Sequence, residues 1–150
     1  MERRDASVRT TIECGVCATG NAARRAGDNG ATTMALLDVS SITSWHAHVY
    51  FDAASRDAAA KFRDVAAAEL RAAVEIGRFH ERPVGPHPKW SFQLAFDPLE
   101  LQGVMSWLAL NHGALDVFVH PNTGDPLRDH RDCAIWIGRA HTLDLRAVGG

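Results

Sequence analysis

The segment from Trp45 to Phe51, WHAHVYF, constrains the fold more than any other, because apolar and polar side chains alternate along it without a break. A strand with this period of two puts Trp45 and its apolar partners on one face, and His46 and His48 on the other. One face of the resulting sheet must pack against a hydrophobic core. The opposite face carries imidazoles, which bind transition metals and change charge near neutral pH.

Helical and alternating patterns follow one another along the rest of the chain. A first helix is predicted from an N-cap at Ser55 to before Gly77, with an apolar stripe that runs on to Val74, and a second from an N-cap at Asp97 with Pro98 in first position. Further strands are predicted at 78–81, 90–96, 116–120 and 134–138. The order β-α-β-β-α-β predicts an α+β, ferredoxin-like sandwich with its helices on one face of an antiparallel sheet.

Residues 1–42 differ from the remainder, since they hold few large apolar side chains and show no sustained period. We expect a disordered N-terminal extension there and a single domain over residues 43–150. Met34 stands just before the first strong pattern, so a translation start at Met34 is a hypothesis. Cys14 and Cys17 have the spacing of redox or zinc motifs, but a single pair of cysteines in such a segment is better explained by chance than by function.

Composition excludes several classes of function. The net charge of −2 and the absence of basic runs predict no nucleic-acid partner. No apolar stretch approaches the roughly 20 residues that span a bilayer, so no membrane role is expected. Three cysteines, an odd number, argue against a disulfide framework and favour a reducing, cytoplasmic setting.

Six of the eight histidines fall within three short segments, 45–51, 77–88 and 120–130. We expect the third strand to run parallel to the first and the fourth antiparallel to it. The start of strand one, the end of strand two, the start of strand three and the end of strand four would then meet at one end of the sheet. This topology gathers His46, His48, His80, His87, His120 and His130. His112 is interpreted instead as a helix C-terminal dipole partner, and His141 as isolated.

A His-x-His pair on a strand places two imidazoles about 7 Å apart at their Cα atoms, on one face. A neighbouring strand can then supply a third ligand to one metal ion. Two solvated histidines are the simpler explanation of such a pair, but the convergence of the other segments favours a site. Two questions stay open: whether Asp125, Asp129 or Asp132 adds a carboxylate, and whether Arg78 and Arg82 bind a substrate carboxylate or are merely solvated.

The three histidine segments, WHAHVYF, GRFHERPVGPHP and HPNTGDPLRDH, resemble in order the blocks of the DOPA 4,5-dioxygenase family. The resemblance covers the chain from Trp45 to Gly138. It implies a non-haem Fe(II) enzyme, with zinc a possible substitute, that uses O₂ to open a catechol ring beside its hydroxyls. The implied partners are O₂ and a small L-DOPA-like or other catechol.

For such an iron site the resemblance favours His48 and His120 as ligands, with His46 and His80 competing for the remaining place. His87, in a stiff Gly-Pro-His-Pro loop, and His130 are the candidates for catalytic proton transfer. Assignment within the cluster stays open at this level.

Two other hypotheses compete with that of a dioxygenase. One is a zinc-dependent hydrolase or isomerase that uses the same histidines. The other is a non-catalytic dimeric ligand-binding protein, because open ferredoxin-like sheets can pair face to face. A homodimer is expected in any case, since Phe118 on an uncovered sheet face would gain by being buried.

Overall fold

The structure, a computed structural model, describes residues 36–149. Within them five strands and three α-helices follow one another as β1 (Ser44–Phe51), α1 (Arg56–Glu69), β2 (Val74–Ile76), β3 (Trp90–Phe96), α2 (Leu101–Asn111), β4 (Asp116–Asn122), α3 (Pro126–Arg131) and β5 (Ile135–Ile137). The predicted α+β class and its β-α-β-β-α-β core order are confirmed. The predictions for residues 1–35, including Cys14 and Cys17, lie outside the described residues, and the boundary at residue 43 stays a prediction.

The strands form one sheet in the order β2-β3-β1-β4-β5, and every neighbouring pair is antiparallel. The prediction that the third strand runs parallel to the first was wrong, since Trp45 pairs with Phe96 and Phe51 with Trp90. The connections explain the direction. Helix α1 carries the chain back so that β2 runs parallel to β1, and β3 then reverses to fill the space between them.

One face of the sheet packs against α1 and α2, as the alternation predicts. Ala47 and Val49 are fully buried in a core shared with Phe62 of α1 and Leu108 of α2. Full burial of a large apolar side chain contributes about 1.5–3 kcal/mol, so this layer accounts for much of the stability of the domain. The side chains that alternate with these buried apolar ones along β1 and β4 consequently point to the other face.

Capping chemistry sets the ends of α2. The Asp97 carboxylate accepts a hydrogen bond from the Leu99 amide at 2.8 Å, and Pro98 opens a short 3₁₀ turn that leads into the helix. At the other end, His112 Nδ1 donates to the Leu115 carbonyl at 2.7 Å, and Gly113 has a φ of 60°.

Within residues 36–149 none of the helices combines the length and apolar character needed to cross a membrane.

The region between α1 and β3 corrects two predictions. Helix α1 ends at Glu69, and Val74, predicted to lie on its apolar stripe, begins β2. The strand predicted at 78–81 therefore begins four residues too late, at 78 instead of 74. Within the segment 78–81, His80 makes an isolated bridge to Ser91. The cause is local: Val74 and Ile76 alternate around Glu75 as a short strand would, but they also continue the helical spacing.

The second face of the sheet is covered, contrary to the prediction that left it open. Phe118 is fully buried, with ring centroids 4.9 Å from Trp136 and 5.7 Å from His130. Helix α3, for which no element was predicted, brings His130 over this face, and its signals were an N-cap at Asp125 and Pro126 in the first turn. Because Phe118 is already buried within one chain, its burial gives no reason for two chains to associate, and the homodimer stays a prediction.

Candidate metal centre and adjoining cavity

Pairing of β1 with β4 brings three histidines together. His46 lies directly opposite His120 in the register of the two strands, and His48 lies opposite Phe118. Residues two apart on a strand share a face, so His46, His48 and His120 all point away from the helices. One ring nitrogen from each of the three histidines lies within 4.8 Å of the other two.

Two of these nitrogens are buried without a hydrogen-bond partner: Nε2 of His48 and Nε2 of His120. Buried polar atoms in folded proteins nearly always have a partner, and an orphan calls for an explanation. A cation bound between the rings supplies one. Imidazole nitrogens are common donors to divalent transition metals. The donor set of the three imidazoles therefore fits a transition metal.

The second nitrogen of His120 orients the ring for this role. Its Nδ1 donates to the Pro121 carbonyl at 2.8 Å, because a carbonyl oxygen can only accept. The neutral ring must then carry its lone pair on Nε2, the atom that faces His46 and His48. A backbone hydrogen bond that fixes tautomer and ring orientation is the usual support of a metal-binding histidine.

Burial also keeps the three rings neutral, which coordination requires. Desolvation lowers the pKa of His120 to about 4 and holds the pKa of His48 well below its usual value, with further lowering from the neighbouring imidazoles. Desolvation, with the charge of His130, lowers the pKa of His46 in the same direction. At neutral pH the cluster therefore presents lone pairs rather than positive charges.

His87 and His130 flank this group on two sides. The His87 ring centroid lies 3.9 Å from that of His48, and the His130 centroid lies 4.1 Å from that of His120. Desolvation lowers the pKa of His87 to about 4, so this ring is neutral as well. The Nδ1 of His130 donates to the Pro126 carbonyl at 2.8 Å, which leaves its Nε2 as the free acceptor.

The loop before β3 brings His87 to the cluster from the far end of the sheet. Since β3 is antiparallel to β1, its start lies away from His46, and the chain must fold back over the sheet. The Val84 carbonyl accepts from the His87 amide at 3.2 Å, with Gly85 at a φ of 58° inside the turn. The Asp144 amide of the C-terminal tail donates to the Pro86 carbonyl at 2.9 Å and holds the loop in place.

Tyr50 is a functional candidate that the sequence reading overlooked. Its hydroxyl lies 2.7 Å from His87 Nδ1, and the side chain is almost fully buried. Burial raises the pKa of the Tyr50 phenol well above its usual value, so the hydroxyl keeps its proton. The signal was available: Tyr50 follows His46 and His48 on the same face of β1, with the same period of two.

The prediction that His141 is isolated was wrong, because its ring makes a hydrogen-bond contact with Asp116 at the start of β4. Its Nε2 lies 2.7 Å from Asp116 Oδ2, and the Arg139 amide donates to Asp116 Oδ1 at 2.9 Å. Burial acts to raise the pKa of Asp116, but these hydrogen bonds outweigh it and the pKa lies below its usual value. The pair fixes the C-terminal tail over the sheet, with the His141 ring 5.6 Å from that of Tyr50.

A cavity of about 280 Å³ adjoins the cluster beside His48 and His87. Arg78, His80, Val84 and Pro86 also line it. Among the described residues, His80 is outside the group of three whose nitrogens meet, so it faces the cavity rather than that group. The volume is close to the lower end of small-ligand pockets, about 300 Å³, and suits a compact ligand.

The remaining candidates have structural contacts elsewhere. Asp129 is buried and accepts from the Thr123 amide at 2.8 Å, which ties α3 to the turn after β4. Asp125 caps α3, and Asp132 pairs with Arg131 at 2.7 Å, so none of the three carboxylates joins the imidazole group. Arg82 is exposed outside the cavity lining.

The depressed histidine pKa values predict how the metal-free protein responds to acid. A histidine with a folded pKa near 4 and an unfolded pKa near 6.5 binds fewer protons when folded, as holds for His87 and His120. Their contribution to stability is complete above pH 6.5 and is lost as the pH falls towards 4. We expect urea unfolding of the metal-free chain to show a free energy that drops steeply across this window.

The matched control for this acid response is the variant His120→Gln, which removes one of the titrating rings. Its free energy of unfolding should fall less between pH 6.5 and 4 than that of the unaltered chain, because one proton fewer is taken up on unfolding. Equal slopes for the two chains in that window would contradict the prediction.

Comparisons with known proteins agree on one family. A model of the Dopa 4,5-dioxygenase family matches residues 45–147. The chain is 39% identical over 114 residues to a DOPA 4,5-dioxygenase of Amanita muscaria, covering 71% of this chain and 50% of that protein. It is 41% identical over 83 residues to an uncharacterized 21.2 kDa protein of Botryotinia fuckeliana, covering 50% and 45% of the two chains. The chain thus spans about half the length of the curated relatives that it matches.

A solved structure is also similar. A Nostoc punctiforme protein, provisionally assigned as a dioxygenase, superposes with a TM-score of 0.69 at 45% sequence identity. The similarity covers 75% of this chain and 96% of the other. At this level of identity the likeness supports common ancestry as well as a common fold.

Proposed function

The chain belongs to the Dopa 4,5-dioxygenase family, and from this premise we propose that it is an extradiol ring-cleaving dioxygenase of ortho-dihydroxyphenyl compounds. The observation that carries the proposal is the pair of buried, unpartnered Nε2 atoms of His48 and His120 within a group of three imidazoles. Catechol and O₂ combine so that one ring carbon–carbon bond beside the hydroxyls breaks. Both oxygen atoms enter the product, a ring-opened acid semialdehyde, and no further reductant is needed.

His46, His48 and His120 are the residues that would hold the metal. When bound, Fe(II) supplies the redox chemistry through which O₂ reacts with an aromatic ring, together with coordination positions that the protein leaves open. A site with three neutral imidazoles and no carboxylate suits a divalent ion that must also bind an anionic catechol. The buried surroundings strengthen its attraction for that anion.

His87 and His130 are the residues proposed to move protons. Each ring lies against a proposed ligand, and each has one nitrogen bound elsewhere, to Tyr50 or to the Pro126 carbonyl. The Tyr50 hydroxyl donates to His87 Nδ1 in this proposal, so that the Nε2 of His87 carries the hydrogen that can be given to a substrate oxygen. His130 Nε2 is then the acceptor for a catechol proton.

The test of the function is oxygen consumption with parallel absorbance spectra. Protein loaded anaerobically with Fe(II) would be offered L-DOPA and a panel of simple catechols, then O₂. We expect one O₂ consumed for each catechol and a yellow ring-opened product. Tightly bound zinc without O₂ uptake would favour the hydrolase or isomerase, and failure to bind any metal would favour the binding protein.

The same preparation tests the assembly that was predicted from the sequence. A homodimer and a cytoplasmic location are proposals, and sedimentation of the metal-loaded protein checks the first. The three imidazoles of the proposed centre all come from one chain.

A further inference from the structure

The cavity beside His48 carries an asymmetry of charge. Apart from Arg78, the side chains that line it are apolar, uncharged polar or imidazole groups: His48, His80, His87, Val84, Pro86, Ser91, Phe92 and Gln93. No aspartate or glutamate belongs to this lining. The guanidinium of Arg78 is thus the only permanent charge on the wall of the cavity, within the residues that the structure describes.

The backbone around Arg78 is fixed, although its side chain is exposed at the cavity mouth. The Gly77 amide donates to the Gln93 carbonyl at 2.8 Å, and the amides of His80 and Ser91 exchange hydrogen bonds with each other's carbonyls at 3.0 and 3.1 Å. A side chain at position 77 would be tight, since a Cβ there would lie 3.3 Å from Gln93 Cβ. Backbone hydrogen bonds to β3, made by Gly77 before Arg78 and by His80 after it, therefore hold Arg78 at the mouth of the cavity.

The Arg78 guanidinium also makes no ion pair within residues 36–149, although other arginines of this surface do. Arg56, for example, pairs with Glu81 at 2.8 Å. An arginine without a carboxylate neighbour, at the entrance of a cavity without acidic groups, offers its planar fork to an anion that arrives with a ligand.

We propose, resting on the dioxygenase function, that Arg78 determines specificity by binding a carboxylate on the side chain of the catechol. The dihydroxyphenyl ring enters towards His48 and His87, and the carboxylate stays at the mouth. An ammonium group on the same side chain finds no acidic partner in the lining. The order of preference is then 3-(3,4-dihydroxyphenyl)propionate at least equal to L-DOPA, and both well above dopamine.

The experiment measures binding and turnover separately. Dissociation constants of the Fe(II)-loaded protein, kept anaerobic, are determined by tryptophan fluorescence for 3-(3,4-dihydroxyphenyl)propionate and for 4-methylcatechol, which lacks the carboxylate. In Arg78→Gln we expect the first constant to rise roughly 10-fold or more, as for loss of a hydrogen bond to a charged group, and the second to stay unchanged. KM with O₂ present should follow the same pattern, with kcat retained.

Two further variants give the controls. Arg78→Lys keeps the charge but loses the fork, so binding of the propionate should lie between the unaltered protein and Arg78→Gln. Arg82→Gln removes an exposed arginine outside the lining and should change neither constant. Both positions are exposed, so folding is not at risk.

The outcomes separate this inference from the function on which it rests. Binding of the propionate that depends on Arg78, without turnover of any catechol, would support the ligand class and overturn the dioxygenase. Turnover of catechols with equal constants in Arg78→Gln and the unaltered protein would overturn the role of Arg78 and leave the dioxygenase standing. An equal weakening of both probes would also overturn it, because a carboxylate contact cannot affect 4-methylcatechol.

Discussion

Replacing His120 with alanine is expected to abolish metal binding and oxygen consumption together. His120 is almost fully buried and its Nε2 has no partner but the proposed ion, while its Nδ1 is bound to the Pro121 carbonyl. Loss of an outer partner of a ligating histidine already weakens metal affinity by about 10- to 100-fold, and loss of the ligand itself must exceed that. Anaerobic titration with Fe(II) and elemental analysis of the purified protein measure the effect.

The control for His120→Ala is His112→Ala, which removes an imidazole from the C-terminal end of α2. That variant loses the hydrogen bond to the Leu115 carbonyl, about 1 kcal/mol of stability, but should bind Fe(II) as tightly as the unaltered protein. His120→Gln serves where alanine leaves too large a cavity. Unchanged Fe(II) affinity in both His120 variants would contradict the proposed centre.

The third ligand is decided by comparing His46→Ala with His80→Ala. Both residues were candidates for the same place, and the nitrogen of His46 lies within 4.8 Å of those of His48 and His120. His80 lies in the cavity wall and its backbone is paired with Ser91. We expect the His46 variant to lose metal and the His80 variant to keep it. The reverse result would move the centre towards the cavity.

The core of the site was predictable because it depends on the pleat and on one strand pairing. The alternation of WHAHVYF puts His46 and His48 on one face, and any antiparallel pairing of the first and fourth strands brings the end of β4 beside the start of β1. Strand pairing alone then places His120 beside His46, and the path of a loop plays no part. Its neighbour in the register is His46, and a register is strongly specified wherever one face of the strands is buried.

The position of His87 was harder to predict, because it depends on the path of a loop. The prediction of a parallel third strand placed His87 at the correct end for the wrong reason. In the antiparallel sheet, the loop from Val84 to His87 has to fold back across the face, and a hydrogen bond from Asp144, 58 residues after Pro86 in the chain, to the Pro86 carbonyl holds it there. Periodicity within a window carries no information about such a contact.

The pair of Asp116 and His141 shows the same limit. Each residue alone reads as a solvated surface group, and only the return of the tail over the sheet brings His141 Nε2 to 2.7 Å from the carboxylate. Gly138 makes this return possible, because its φ is 84° and a Cβ there would lie 2.7 Å from Asp116 Oδ1. The glycine was visible in the sequence, but the carboxylate that it accommodates was not.

Replacing His87 with glutamine is expected to slow ring opening without removing the metal. The centroid of the His87 ring lies 3.9 Å from that of His48, but His87 does not belong to the three imidazoles whose nitrogens meet, so Fe(II) should stay bound. Positioned acid–base groups typically contribute about 10²- to 10⁴-fold to rate, and kcat should fall within that range. Single-turnover kinetics, followed by product absorbance beside elemental analysis, separate the two effects.

Tyr50→Phe provides the second arm of this prediction, because it removes only the hydroxyl 2.7 Å from His87 Nδ1. The ring stays to fill its buried site, and the change releases His87 to take either tautomer. A smaller fall in kcat, with KM and bound Fe(II) unchanged, is the result expected of a positioning residue. Val84→Ala, on the same loop, controls for loosening of the loop itself. If His87→Gln lost its Fe(II), His87 would be a ligand; if kcat were unchanged, the proton would have to travel through His130 alone.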